Sequence, residues 1–93
     1  MIGELVGLYA KYEDLLVFIA TGPKNRDEIF QFGFARTGRS TAYDYVRQTF
    51  KKNLPMVSVE NGLAMIDPEK VQEFIELLSE ALNIDLYELF REE

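Results

Sequence analysis

Residues 36–52 read RTGRSTAYDYVRQTFKK, and this stretch predicts a turn followed by a short helix that ends near residue 53. Residues 37–39, TGR, are typical of a turn. Either Ser40 or Thr41 is expected to cap the helix, because a hydroxyl there can accept from a free backbone N–H. Thr41 and Asp44 also have the spacing of a capping box.

The predicted helix divides its side chains between two faces. The apolar face, with steps of three and four residues, contains Ala42, Tyr45, Val46, Thr49 and Phe50. The opposite face contains Tyr43, Asp44, Arg47, Gln48 and Lys51. Such a helix can pack on a small core while it presents its N-terminus and its polar side chains to another molecule. We expect that molecule to be DNA.

The residues upstream predict further helices. Apolar residues recur at helical spacing over residues 2–20, and Glu13-Asp14 leaves two outcomes open: one helix, or two at about residues 2–11 and 13–20. Thr21-Gly22-Pro23 ends the pattern, because glycine suits the left-handed residue after a helix and proline cannot continue it.

The next helix is expected to begin after Asn25, with Glu28 completing a capping box. The helical pattern of the sequence continues through Ile29 and Phe30 and is lost around Gly33. The phenylalanines of this segment, including Phe34, are most simply core residues. The alternative is that exposed aromatic rings stack on the bases of single-stranded nucleic acid.

The residues downstream predict a hairpin. Leu54-Pro55 breaks the preceding helix, and residues 56–60 and 63–66 are expected to form two strands. Asn61-Gly62 between them is typical of a type I′ turn, which requires positive φ at both positions. A two-stranded hairpin is unstable alone, so it is expected to pack against the helices.

A last helical region follows the hairpin. Asp67 is expected as its cap and Pro68 as its first residue. Its apolar stripe contains Val71, Phe74, Ile75, Leu78 and Leu82. Residues 83–85, NID, are a candidate break, and Asp85 with Glu88 is a second capping-box candidate that would open a short terminal helix.

Composition predicts one globular domain over residues 1–93, with 47% hydrophobic residues. No apolar run approaches the roughly 18–20 residues that span a bilayer, and the N-terminus lacks the basic lead of a signal peptide. We therefore expect a cytoplasmic protein with no membrane partner. The absence of cysteine and histidine excludes disulfides and the usual zinc sites, and no spacing of carboxylates argues for a magnesium site. We expect no cofactor and no enzymatic activity.

The charge distribution is asymmetric. The net charge is −6, yet residues 24–52 contain seven basic and three acidic residues, so this segment carries +4 and the remainder −10. Such asymmetry is typical of a surface that meets an anion while the acidic part faces away. The alternative is that these lysines and arginines only keep short helices soluble.

Helix, helix, turn, helix, hairpin and helix in this order resemble the winged helix-turn-helix family of DNA-binding regulators, of prokaryotic or viral type. The resemblance covers about residues 12–78. It rests on residues 26–34, the turn at 37–39, the helix at 40–46 and the hairpin VSVENGLAMI at 57–66. It implies a mostly α fold with a small two-stranded β-hairpin (α+β), with extra N- and C-terminal helical segments.

The resemblance also implies a binding site. The helix at about 40–52 would lie in the major groove, and the hairpin, called the wing in this family, would touch the DNA backbone or the minor groove. The implied groove-facing residues are Ser40, Thr41, Tyr43, Asp44 and Arg47. The implied phosphate contacts are Lys24, Arg36, Arg39, Lys51 and Lys52, and Asn61 would contact DNA from the tip of the wing.

Two of these residues have specific expectations. Arg47 is the best candidate for a bidentate bond to guanine. Asp44 is either an acceptor for a cytosine amine or an acid favoured by the helix dipole.

Three functional interpretations follow. The first is a small dimeric transcription regulator that binds double-stranded DNA sequence-specifically, with its first and last helices as the dimer surface. The second is a protein–protein interaction module without DNA binding, because the same fold can serve either role. The third is an enzyme, which no motif supports.

Overall fold

The computed structural model describes residues 2–52 and 54–82. Within these residues the elements are α1 (Ile2–Lys11), α2 (Glu13–Ala20), α3 (Arg26–Thr37), α4 (Arg39–Phe50), β1 (Val57–Glu60), β2 (Leu63–Ile66) and α5 (Pro68–Leu82). The predicted class, mostly α with an antiparallel two-stranded hairpin, is confirmed. The predicted break at residues 83–85 and the terminal helix after it lie outside the described residues.

The segment at residues 2–20, with its apolar residues at helical spacing, forms two helices, which meet at Tyr12. This residue has φ −113° and ψ 23°, outside the helical range. The hydrogen-bond ladder nevertheless continues through it, since its N–H donates to Leu8 and its carbonyl accepts from Leu16. The core begins here, because Tyr12, Leu15, Leu16 and Ile19 are all buried.

The capping box that opens α3 is confirmed. The side chain of Asn25 accepts from the N–H of Glu28 at 2.8 Å, and the carboxylate of Glu28 accepts from the N–H of Asn25 at 2.9 Å. The helix does not end where its pattern fades at Gly33 but continues to Thr37. Gly33 lies where α4 crosses α3, and a Cβ atom there would stand 2.8 Å from the Cα of Ala42. The glycine therefore serves close packing of two helices.

The predicted cap of α4 is wrong. Gly38 alone joins α3 to α4, with φ +104°, a conformation open to glycine, and its carbonyl accepts from the N–H of Ala42. No side chain caps the helix. Ser40 and Thr41 lie inside the first turn, and the Thr41 hydroxyl contacts that of Thr37.

The predicted faces of α4 are largely confirmed. Ala42, Tyr45, Val46 and Thr49 are buried and Phe50 is partly buried, as the apolar face requires. Gln48, expected on the polar face, is also buried. The helix ends at Phe50, before the predicted boundary near residue 53.

The hairpin forms with the predicted turn. Val57 pairs with Ile66 and Glu60 with Leu63, while Asn61 and Gly62 have φ of 53° and 76°. An isolated bridge adds a third segment, because Lys24 and Ala64 exchange backbone hydrogen bonds of 2.9 and 2.8 Å. The link between α2 and α3 therefore lies along β2 and ties the hairpin to the helices.

Helix α5 begins at Pro68, as predicted, and the Asp67 carboxylate accepts from the N–H of Glu69 at 3.0 Å. Phe74 is buried, and its ring contacts that of Tyr9 on α1 at a centroid distance of 5.8 Å. The first and last described helices therefore pack together. Among the described residues, no helix combines the length and the apolar character that crossing a membrane requires.

Candidate nucleic-acid interface

Helix α4 has one continuous solvent-exposed surface, which we call the exposed face of α4. It consists of Arg39, Ser40, Tyr43 and Arg47 together with Lys51, the residue directly after the helix. All five are exposed, and apart from the adjacent Arg39 and Ser40 they follow one another at steps of three or four residues. Lys52, also exposed, follows at the end of the helix. Packing against the rest of the protein uses the other side of α4, so this face is open to a partner.

Three of the predicted phosphate contacts form no salt bridge within the described part of the chain. Across residues 2–52 and 54–82, no salt bridge involves Arg39, Lys51 or Lys52. The same is true of Arg47, the predicted guanine contact. Four positive charges on or beside one helix surface therefore have no salt-bridge partner among the described residues.

The other two predicted phosphate contacts have internal partners. Arg36 forms a salt bridge with Asp14, and its guanidinium lies 5.7 Å from the centroid of the Phe32 ring. The ammonium of Lys24 donates to the Thr21 hydroxyl at 2.8 Å and to a backbone carbonyl at 3.0 Å. Both side chains stabilise the protein's own structure, and any contact with DNA would compete with these partners.

The N-terminus of α4 presents backbone donors. The first N–H groups of a helix have no acceptor within it, and they carry a partial positive charge. Here no side chain accepts from them, because the N-cap is Gly38. The hydroxyl of Ser40 lies exposed in the same turn. The combination of Gly38, free N–H groups and Arg39 is suited to a phosphate oxygen.

Asp44 has a structural partner that the sequence did not predict. Its Oδ2 accepts a 2.8 Å hydrogen bond from the hydroxyl of Tyr12, and the carboxylate is only partly exposed. The pKa of Tyr12 is raised by burial first, and then by the hydrogen bond and the negative charge of Asp44. The contact joins α4 to the junction of α1 and α2.

In a second tyrosine–carboxylate pair, α4 supplies the tyrosine instead of the carboxylate. The hydroxyl of Tyr45 on α4 donates to both carboxylate oxygens of Asp14 on α2, at 3.1 and 2.9 Å. Burial and Asp14 together raise the pKa of Tyr45 to about 12. The rings of Tyr12 and Tyr45 meet edge to face at 5.7 Å. The two pairs fix the rotation of α4 about its axis and thereby hold its exposed face outward.

Aromatic rings flank the exposed face of α4. The Phe30 ring contacts that of Tyr43 at 5.4 Å and that of Phe34 at 6.2 Å. Phe34 is 48% exposed and Tyr43 55% exposed, so the prediction that Phe34 fills the core is wrong. Ile29, in contrast, is fully buried as predicted. Phe34 is exposed because α3 continues through Gly33 and turns the side chain toward solvent.

The hairpin tip is acidic. Glu60 and Asn61 are both exposed, and no lysine or arginine occurs between Val57 and Ile66. Asn61 can offer a phosphate its side-chain amide and its backbone N–H, but no positive charge.

Among the described residues, no three acidic side chains come together in a way that could hold a metal ion. The exposed face of α4 and its surroundings carry cations, hydroxyls and aromatic rings. No family model, curated protein or solved structure matches this chain.

Proposed function

We propose that this protein binds double-stranded DNA sequence-specifically through α4, as a small dimeric transcription regulator of the winged helix-turn-helix type. The observation that carries the proposal is the exposed face of α4. It combines Arg39, Arg47 and Lys51, without salt-bridge partners among the described residues, with the hydroxyls of Ser40 and Tyr43.

The dimensions of α4 suit the major groove. Its 12 residues make a rod about 18 Å long, and a major groove about 12 Å wide admits a helix. With the N-terminus of α4 toward the DNA, Arg39 and the free N–H groups would bind a phosphate, and Arg47, two turns later, would reach guanine. Lys51 and Lys52 would bind phosphates at the far side of the groove.

The order of the elements supports the proposed family, whereas the link between α3 and α4 departs from it. Helices α2, α3 and α4 are followed by a hairpin, and the bridge between Lys24 and Ala64 holds that hairpin beside the helices. The link between α3 and α4 is only Gly38, whereas helix-turn-helix motifs usually have three or four residues there. The close crossing at Gly33 and Ala42 accounts for the short link.

The dimer is proposed to form through α1 and α5. These helices pack together, and they leave Val6, Tyr9 and Leu77 between 37% and 42% exposed. A second copy would cover these side chains. Two copies would then present two α4 helices to half-sites about 34 Å apart, one turn of duplex DNA.

Selection from a pool of random duplex DNA tests this function. The protein is incubated with the pool at low and at near-physiological salt, and the retained DNA is sequenced. We expect enrichment of a two-fold symmetric motif, with retention that falls steeply as salt rises because bound phosphates release counterions. Retention without any motif would contradict sequence-specific binding. No retention at low salt would rule out DNA as the partner.

A protein–protein interaction module is the second candidate. It is favoured by the exposed rings of Phe34 and Tyr43, since aromatic side chains are enriched at protein interfaces, and by the sequence pI of about 4.6. Absence of DNA binding at low salt, together with loss of a protein partner in a Phe34→Ser variant, would establish this alternative.

A further inference from the structure

A depression of about 390 Å³ lies between the C-terminal end of α4, strand β1 and the start of α5. Three lysines line it: Lys51 and Lys52, which directly follow α4, and Lys70 in the first turn of α5. Thr49 and Ser58 also line it, and none of the described residues around it carries a carboxylate. In a protein with a net charge of −6, three ammonium groups around one concavity are a local excess of positive charge.

The helix dipole explains only two of these lysines. Cations near the C-terminus of a helix are favoured, which accounts for Lys51 and Lys52 at the end of α4. Lys70 lies in the first turn of α5, where the dipole disfavours a cation. Its position therefore has to be explained by its contacts.

The ammonium of Lys70 is held in place by β1. It donates to the backbone carbonyl of Val57 at 3.0 Å, and an ammonium has three N–H donors, so two remain for another acceptor. Val57 and Leu54, which also line the depression, are buried. These two side chains form its floor, while the three lysines around it are exposed.

We propose that this depression binds the phosphate group of an anionic ligand. A phosphate group has several acceptor oxygens on one phosphorus atom, which match ammonium donors that approach from the end of α4 and from the start of α5. The Ser58 hydroxyl would be a further donor. Two sources can supply the group: a backbone phosphate of bound DNA, or a free phosphorylated small molecule. Only the first source rests on the proposed function, and it would extend the DNA contacts of α4 to α5.

Titration with inorganic pyrophosphate, followed by amide NMR shifts of the ¹⁵N-labelled protein, tests the site. We expect saturable shifts at Ser58, Val59 and Lys70, beyond those that sodium chloride causes at equal ionic strength. Lys70→Gln should weaken binding roughly tenfold, because one charge-assisted hydrogen bond is lost. Lys51→Gln should weaken binding by a similar factor. Because this variant keeps the hydrogen bond between Lys70 and Val57, it still tests the site if Lys70→Gln fails to fold.

Lys11→Gln is the matched control, because it removes one positive charge from α1, outside the depression, and should leave the affinity unchanged. Shifts that sodium chloride reproduces would overturn the proposal. Equal affinities of the wild type, Lys51→Gln and Lys70→Gln for pyrophosphate would overturn it too.

A second titration in the presence of duplex DNA distinguishes the two sources. If DNA displaces pyrophosphate, the site takes a backbone phosphate. If pyrophosphate binds equally well to the DNA complex, the site takes a free phosphorylated ligand. Pyrophosphate binding by a protein that retains no DNA would leave this site standing while the proposed function fails.

Discussion

The hydroxyl of Tyr12 donates a 2.8 Å hydrogen bond to the carboxylate of Asp44, and so joins the first two helices to the helix that carries the proposed DNA surface. The pair formed by Tyr45 and Asp14 repeats the contact with donor and acceptor exchanged. Two such links prevent α4 from rotating. These two partly buried hydrogen bonds therefore determine which side of α4 faces solvent.

Removing the Tyr12 hydroxyl tests this link. We expect Tyr12→Phe to lower the free energy of unfolding by about 1 kcal/mol, because Asp44 loses its donor at a partly buried position. Urea denaturation measures the change. Tyr43→Phe is the control, since it removes a hydroxyl from a ring that is 55% exposed. Equal losses in the two variants would show that the contact with Asp44 contributes nothing.

The two tyrosines also predict a dependence of stability on alkaline pH. The folded protein holds their protons more tightly than the unfolded chain, in which tyrosine has a pKa of about 10. Their stabilisation is fully present below pH 10 and is lost as pH rises toward 12, the folded pKa of Tyr45. Unfolding free energies measured from pH 8 to 12 should fall above pH 10.

The variant that carries both Tyr12→Phe and Tyr45→Phe is the control for this dependence. It should be less stable at pH 8, and its stability should fall less steeply above pH 10. An unchanged slope would mean that other groups cause the alkaline loss.

Two glycine substitutions test the crossing of α3 and α4. Gly33→Ala should destabilise the protein by about 1–3 kcal/mol, because its Cβ would meet the backbone of Ala42 at 2.8 Å. Gly7→Ala in α1 should instead stabilise by about 0.5–1 kcal/mol, since nothing lies within 4 Å of its Cβ and alanine favours helix. Thermal unfolding of both variants checks the signs. Stabilisation by both would show that the helices can separate at no cost.

Local signals in the sequence were sufficient to predict much of the fold. The capping box at Asn25, the turn at Asn61-Gly62 and the start of α5 at Pro68 depend on neighbouring residues alone, and all three are confirmed. The helical periodicity of α4 likewise predicted most of its buried face.

The errors arose where a tertiary contact overrides a local preference. Gly33 weakens the helical pattern, but packing against Ala42 requires it, so α3 continues. That continuation leaves one residue for the link and moves the cap of α4 to Gly38. The pairing of Tyr12 with Asp44, 32 residues apart, has no local signature. For the same reason the sequence could not show that Arg36 is paired with Asp14.

Substitutions on the exposed face of α4 test the proposed roles of two cations. Arg47→Ala should relax the base preference at one position of the site, because a bidentate contact with guanine is lost, at about 1–3 kcal/mol. Lys51→Ala should weaken binding to all sequences alike. It should also reduce the number of counterions released on binding, measured from the salt dependence of the affinity, by about one. Titrations of selected and scrambled duplexes at several salt concentrations distinguish the two. If neither variant changes binding to any duplex, α4 does not contact the DNA.

The dimer is tested by placing a charge on α1. Val6 is 41% exposed on the helix that packs with α5, and a second copy would bury it. We expect the wild type to sediment as a dimer at micromolar concentration, and Val6→Glu to raise the dissociation constant more than tenfold, because a buried carboxylate without a partner is costly. Val17→Glu introduces the same charge at a site on α2 that is 62% exposed, and it should leave the dimer intact. A monomeric wild type would contradict the proposed dimer, and a dimer that resists Val6→Glu but is lost in Val17→Glu would move the interface to α2.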